Sequence, residues 1–294
     1  MNVNKTTGLH ETRHPKYKVP VVHQEDLDAL RFEGYPLAIH TVPAADVPSV
    51  DFYAKLEPSD ELYVSLHGAV DPGPARYPHF RRVESMRDRV SAFLSIADPT
   101  LELSEREDFG IGWYTGGPGW DPMDAVESIV RQALAAVGAK YVMFIGSSAG
   151  GFASLRASVR FPASIAFVQD PQTDVGAYYS GHRNRLFECC WPQWEQDAAL
   201  VAHPDRFDLR HLFATRDPQN FVYYRQSNGD EWHSRNHAKP FQEALKSCTG
   251  TRDGRFVFVF EDGEREGHGK ITAAEFDRHF DAAQGFWREA RATD

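Results

Sequence analysis

Tyr141-Val142-Met143-Phe144-Ile145-Gly146-Ser147-Ser148-Ala149-Gly150-Gly151 is the stretch on which the reading of this chain turns. Residues 141–145 are apolar without a break and run straight into small residues. A run of that length, hydrophobic on both faces, predicts a strand buried in a parallel sheet. Gly146-Ser147-Ser148-Ala149-Gly150 has the G-x-S-x-G spacing of a strained strand-to-helix turn with a serine at its tip. Such a turn crowds the backbone two residues before and two after the serine, so both positions need glycine or something nearly as small. Beyond it, Gly150, Gly151, Ala153, Ser154 and Ala157 let a helix lie close to the sheet, and Pro162 predicts its end near Phe161. The same string also occurs in tight turns without chemistry. Its flanking strand and small-residue helix favour Ser148 as a nucleophile.

The chain has 294 residues, of which 41% are hydrophobic and 25% charged, enough for one large α/β domain with a sizeable core. That domain is read as residues 26–294, after a polar 1–25 segment expected to be a poorly ordered arm or an edge extension. A net charge of −10 argues against a nucleic-acid partner. No stretch approaches the roughly 18 uninterrupted apolar residues of a membrane span, and no secretory signal is expected in the first 25. Cys189, Cys190 and Cys248 make no disulfide framework and read as reduced thiols, which suits a cytoplasmic protein.

Residues 35–42, 50–56 and 61–66 read as early strands, 91–96 as a helix or strand, and 109–114 as a short strand. A helix then begins with Asp121 as N-cap and Pro122 in its first position, with Asp124 at the positive end of the dipole. Val126, Ile129, Val130, Ala133, Leu134 and Val137 give it one apolar face, and Gly138 closes it. Downstream strands are expected at 164–168, 209–214 and 256–260. Thr272 and Glu275 form a capping box for a last helix that turns Phe276, Phe280 and Ala283 to the core.

Strands alternating with helices predict a mostly parallel central sheet flanked by helices. With the serine turn at its place in that order, residues 35–290 resemble the α/β-hydrolase fold. The resemblance implies a triad in chain order Ser, then Asp or Glu, then His, on loops after later strands. His268, in Gly267-His268-Gly269 after the 256–260 run, is the expected base; His233 and His237 are competitors upstream of the last strand. The expected acid is Asp217, in Arg216-Asp217-Pro218 after the apolar 212–214. Asp170 in Gln169-Asp170-Pro171 is the runner-up, and Asp230 stands third. An oxyanion hole would use the Ala149 amide and a second amide from His67-Gly68-Ala69. That loop departs from the fuller His-Gly-Gly-Gly pattern, which leaves the choice between Gly68 and Ala69 open; Asp71 in the same loop is placed to meet substrate.

Residues 171–208 are too long for an ordinary connection and are read as an inserted lid. Tyr178, Tyr179, Trp191 and Trp194 there either meet substrate or form the lid's own small core. The 217–237 segment alternates polar and aromatic residues, which suits a hydrophilic substrate. Together with 164–173 it resembles bacterial α/β hydrolases found with cell-surface glycan modification. The activity implied is hydrolysis of a carboxylic ester on a small molecule or glycan, through an acyl-enzyme and with no metal or organic cofactor. Acyl transfer to a sugar hydroxyl is the close variant, and a non-catalytic scaffold for ligand or partner binding the distant one. His10-Glu11-Thr12-Arg13-His14 matches the H-E-x-x-H zinc string, but Gly8 and Pro15 bracket it and no apolar helix face surrounds it. Oligomeric state has no signature in the sequence.

Overall fold

The computed structural model describes residues 2–216, 218–246, 254–265, 267–269 and 271–292. The chain divides into two compact units, Met1–Val142 and Met143–Asp294.

The first unit contains β1 (Asn2–Val3), β2 (His10–Arg13), β3 (Pro20–His23), β4 (Leu37–Val42), β5 (Val50–Leu56), β6 (Glu61–Leu66), the short helix α1 (Val83–Met86), β7 (Ala92–Ile96) and α2 (Pro122–Val137). The strands lie in the order β1-β2-β3-β4-β5-β7-β6. β3 with β4 and β6 with β7 are parallel pairs; the other pairs are antiparallel. Every residue of β6 and β7 is buried, which explains why 91–96 shows no clean alternation in sequence. α2 starts as its sequence predicts: the Asp121 side chain accepts from the Met123 amide, and Gly138, at φ 74, closes the other end.

Two segments settle open or mistaken expectations. Residues 10–13 and 20–23 form β2 and β3, the edge extension rather than the poorly ordered arm, and Leu9 and Val22 pack with Tyr35 and Ala38. His10 and His14 therefore share no helical face. Residues 109–114 are not a strand, because Trp113 and Tyr114 take positive φ of 52° and 54° while their rings are fully buried.

β8 (Tyr141–Ser147) leads into the second unit, followed by α3 (Ala149–Ser158), β9 (Ile165–Gln169), α4 (Ser180–Cys190), α5 (Gln196–Ala202), α6 (Pro204–Phe207), α7 (Leu209–Arg216), β10 (Phe221–Ser227), α8 (Glu231–His233), α9 (Lys239–Lys246), β11 (Phe256–Glu261) and α10 (Ala273–Arg291). A π-helical turn, Ser234–Ala238, joins α8 to α9. β8-β9-β10-β11 are parallel neighbours throughout. The strand expected at 209–214 is instead helix α7, whose buried Leu209, Leu212 and Phe213 stand at helical spacing. The strand is β10, buried along all seven residues and begun by the β-forming run Phe221-Val222-Tyr223-Tyr224. No described helix is long and apolar enough to cross a membrane.

β10 brings a charge into the core. The Arg225 side chain is 1% exposed. Its Nη1 donates to Asp170 Oδ2 at 3.1 Å and its Nε to Glu261 Oε1 at 3.3 Å, and Nη2 stands 3.7 Å from Glu275 Oε1. Asp170 also accepts from the Ser227 amide at 2.6 Å. Burial raises the Asp170 pKa even against these donors, so the carboxylate depends on them for its charge. Arg225→Met fills the space without the charge. It should lower the unfolding free energy by about 3–5 kcal/mol, because Asp170 is left buried and unpaired. Urea unfolding checks this as a lower midpoint at unchanged slope.

Candidate active site

Ser148 occupies the turn between β8 and α3 at φ 55°, ψ −126°, a conformation that side-chain-bearing residues rarely adopt. The turn is clamped from both sides. The Ser148 amide donates to the Gln169 carbonyl at 3.2 Å, and the Ser148 carbonyl accepts from Phe152 at 3.1 Å and Gln172 at 3.2 Å. A Cβ on Gly146 would stand 2.1 Å from the Gly150 carbonyl oxygen, and one on Gly151 would stand 2.5 Å from Pro171 Cβ. Glycine is required at both, because the backbone fills the space at Gly146 and the rigid ring of Pro171 fills it at Gly151. The Ala149 amide, first in α3, has no intrahelical acceptor and makes no hydrogen bond among the described residues.

His268 lies between β11 and α10, flanked by Gly267 at φ 95° and Gly269 at φ 65°. Its Nε2 stands 2.8 Å from Ser148 Oγ and its Nδ1 2.6 Å from Asp230 Oδ2. Asp230 follows β10 in the turn Asn228-Gly229-Asp230 and caps α8, accepting from the His233 amide at 3.3 Å. Burial works against its ionisation, but the hydrogen bonds from His233 and His268 outweigh it and hold the carboxyl well below the ordinary carboxylate range. A carboxylate so placed can orient an imidazole and stabilise its protonated form.

The other oxygen of Asp230 is also occupied. His233 Nδ1 reaches Oδ1 at 2.8 Å, and the His233 ring lies on the His268 ring, centroids 3.6 Å apart and 10° from parallel. Burial pushes the His233 pKa down against the pull of Asp230. Gln172, fully buried, sets its Nε2 2.8 Å from Ser148 Oγ and 3.2 Å from His233 Nε2.

Of the residues expected from sequence, the structure brings Ser148 and His268 together, with Asp230 against His268. Asp170 is held by Arg225 and the Ser227 amide instead. Asp217 lies outside the described residues, as does Cys248. Tyr178 packs beside His233, centroids 5.9 Å apart, and Tyr179 stacks on Trp232 at 4.0 Å with 45% of its surface exposed. Trp191 is wholly buried among Phe187, Phe207 and His203, so its ring is committed to packing, and Trp194 stands edge-on to it at 6.0 Å. His67, Gly68 and Ala69 follow β6 in the first unit, and Asp71 is exposed there. Gln172 and Trp232 carry no motif, and their positions come only from the fold.

Trp232 also lines a cleft of about 500 Å³ with Asn228, Glu231, Ser234, Arg235 and Lys239. Asp230, His233 and His268 have donor atoms within 4.8 Å of one another, the spacing of a cation site. Their contacts are those of a proton relay: both Nδ1 atoms face the one carboxylate and must carry hydrogens to bond it.

Sequence comparison gives no family-model match and no curated relative. Solved structures do match. The capsule O-acetyltransferase of Neisseria meningitidis serogroup A aligns with 83% of this chain and 90% of its own, at TM-score 0.55 and 14% identity. Carboxyl esterase 2 of Tuber melanosporum aligns over 86% of each chain, at TM-score 0.54 and 16% identity. S-formylglutathione hydrolase of Staphylococcus aureus aligns with 85% of this chain and 98% of its own, at TM-score 0.56 and 11% identity. The chain thus has the α/β-hydrolase fold, a mostly parallel sheet with flanking helices.

His237, one helical turn beyond His233, is fully buried; its Nδ1 accepts from the Thr173 amide at 3.3 Å, and burial lowers its pKa from 6.5 to about 3. The unfolded chain takes up this proton near pH 6.5 and the folded chain only near 3. Stability is therefore lost as pH falls through that window, by about 1.4 kcal/mol per pH unit from this group. His237→Asn keeps an acceptor for Thr173 and removes the titration. Urea midpoints between pH 6.5 and 4 should fall less steeply in the variant, by one proton's worth of slope.

Proposed function

We propose that this protein is a serine hydrolase that cleaves a carboxylic ester through Ser148, His268 and Asp230. The observation that carries the reading is the unbroken contact chain from Ser148 Oγ through His268 to Asp230. Ser148 Oγ attacks the ester carbonyl while His268 Nε2 takes its proton. Collapse of the tetrahedral intermediate breaks the C–O bond to the alcohol, which leaves with the proton from His268. Water then attacks the acyl-enzyme with His268 as base, releasing the carboxylic acid and restoring the Ser148 hydroxyl.

The oxyanion needs donors aimed in advance. The free Ala149 amide is one. For the second, His67 narrows the choice in its loop. Its Nε2 accepts from the Asp98 amide at 2.9 Å, so its Nδ1 carries the hydrogen that holds the Gly68 carbonyl at 2.7 Å. Burial, pushing the His67 pKa down to about 3, keeps that tautomer neutral. Across a trans peptide the N–H points opposite to the C=O, so pinning the Gly68 carbonyl also fixes the Ala69 N–H. Within its own loop, the Ala69 amide is the one held in a fixed direction.

For the substrate, Tyr178, Tyr179 and Trp232 beside His233, and Arg235 and Lys239 in the adjoining cleft, favour an acyl group carried on a polar or sugar-like alcohol. Acyl transfer, with a second hydroxyl in place of water, uses the same residues. The likeness to a capsule O-acetyltransferase, one structure of which holds CoA, is the observation on its side.

Fluorophosphonate labelling followed by intact mass and peptide mapping tests the nucleophile. One adduct on Ser148 is expected, lost in Ser148→Ala and His268→Ala. Asp230→Asn should slow labelling by about 10³–10⁴-fold in a folded protein, since the imidazole loses its tautomer and its counter-charge. Asp217→Asn and Asp170→Asn, run beside it, should fall short of that loss at equal folded fraction. A full-rate Asp230→Asn would sink the assignment of the acid.

A further inference from the structure

Five side chains close a ring of hydrogen bonds at the site. It runs from Ser148 Oγ to His268 Nε2, from His268 Nδ1 to Asp230 Oδ2, from Asp230 Oδ1 to His233 Nδ1, from His233 Nε2 to Gln172 Nε2, and from Gln172 Nε2 back to Ser148 Oγ. One fact places every hydrogen in it: an ionised carboxylate only accepts. Both Nδ1 atoms therefore carry hydrogens, and with both rings neutral both Nε2 atoms are bare. A bare His233 Nε2 needs a donor, which sets the Gln172 amide with its NH₂ toward the ring. With its oxygen there instead, two acceptors would face each other across 3.2 Å. The NH₂ has two hydrogens, one for His233 and one for Ser148. Ser148 Oγ, already accepting from Gln172, directs its own hydrogen to the bare His268 Nε2.

The geometry points to His233 and Gln172 as positioning residues, through which Asp230 orients the nucleophile from its far side while orienting the base directly. The inference rests on the reading of Ser148, His268 and Asp230 as the triad. Without the far arm the serine hydroxyl has several staggered orientations, and only one faces His268. With it, the attack-ready orientation is the resting one. Burial keeps His233 from taking a second proton when His268 is charged, so the ring keeps its direction through the proton transfer. The stacked rings, 3.6 Å apart, hold the two imidazoles in register over the shared carboxylate.

The test compares His233→Asn, His233→Phe, Gln172→Met and the double variant His233→Phe/Gln172→Met by p-nitrophenyl acetate hydrolysis and fluorophosphonate labelling, with melting temperatures alongside. Each single variant should lose on the order of 10–100-fold in kcat and in labelling rate with KM little changed, the scale seen when an outer partner of a reacting group is removed. His233→Asn keeps a donor for Asp230 but, being shorter, puts no acceptor where Nε2 faces Gln172, so it should fall as far as Gln172→Met. The double variant should be no slower than the slower single, since one arm can be broken only once. Multiplying losses in the double variant, or a full-rate His233→Asn, would overturn the proposal. If the Phe variants fail to fold, the His233→Asn rate decides alone. Failure of the triad itself reads differently: Asp230→Asn would then label at the wild-type rate.

Discussion

The charge on Asp230 is the constraint from which the site follows. A buried carboxyl is more easily kept neutral, and a neutral one would donate a hydrogen where the site needs an acceptor. Two imidazole N–H groups make the ionised form the stable one. Asp170 shows the alternative. It is more deeply buried and is charged through a guanidinium rather than two rings, and its pKa stays raised by that burial. One carboxylate is built to hold protons in place on its neighbours, and the other to hold strands.

Local backbone geometry serves the same end. The serine turn is strained, and it persists because Gly146 and Gly151 let β8, α3 and the Pro171 segment close to contact. On the opposite side, the chain leaves Asp230 through α8 directly into a π-helical turn. Wide turns of this kind recur at functional sites. Here it follows the segment that presents His233 to the carboxylate, and it places His237 with its ring 5.4 Å from that of His233.

What could be read in advance follows how local each cause is. The serine turn was legible because strand, glycines and small-residue helix lie within 20 residues. His268 was legible because an apolar run and a capping box bracket it. The contact between Asp230 and His268 was not, for two compounding reasons. Leu209, Leu212 and Phe213 lie in a window too short to separate helix from strand, so Asp217 looked like the residue after a strand. Meanwhile β10 carries Arg225 and Gln226 in its interior, which breaks the apolar run that marks a buried strand. Arg225 is tolerable there only because Asp170, Glu261 and Glu275, from 36 to 55 residues away, meet it. Gln172 and His233 are harder still, since neither has meaning until the fold brings five side chains into one loop of hydrogen bonds. The first 25 residues left two readings open, their polar composition fitting an arm as well as edge strands whose exposed faces need no hydrophobes.

The Arg225 cluster has a consequence in time as well as in space. Asp170 lies two residues from Gln172, the Ser227 amide it holds lies three residues before Asp230, and Glu261 and Glu275 stand either side of the loop carrying His268. One guanidinium therefore moors every loop that brings a partner to Ser148. The serine turn is built from neighbouring residues and can take shape early, but Ser148 has no contact with His268 until β11 docks and α10 begins. During synthesis Ser148 therefore lacks its imidazole partner while the segments before it can already fold. That contact forms late, when the segment bearing His268 settles against a charge that the sheet has been holding for it.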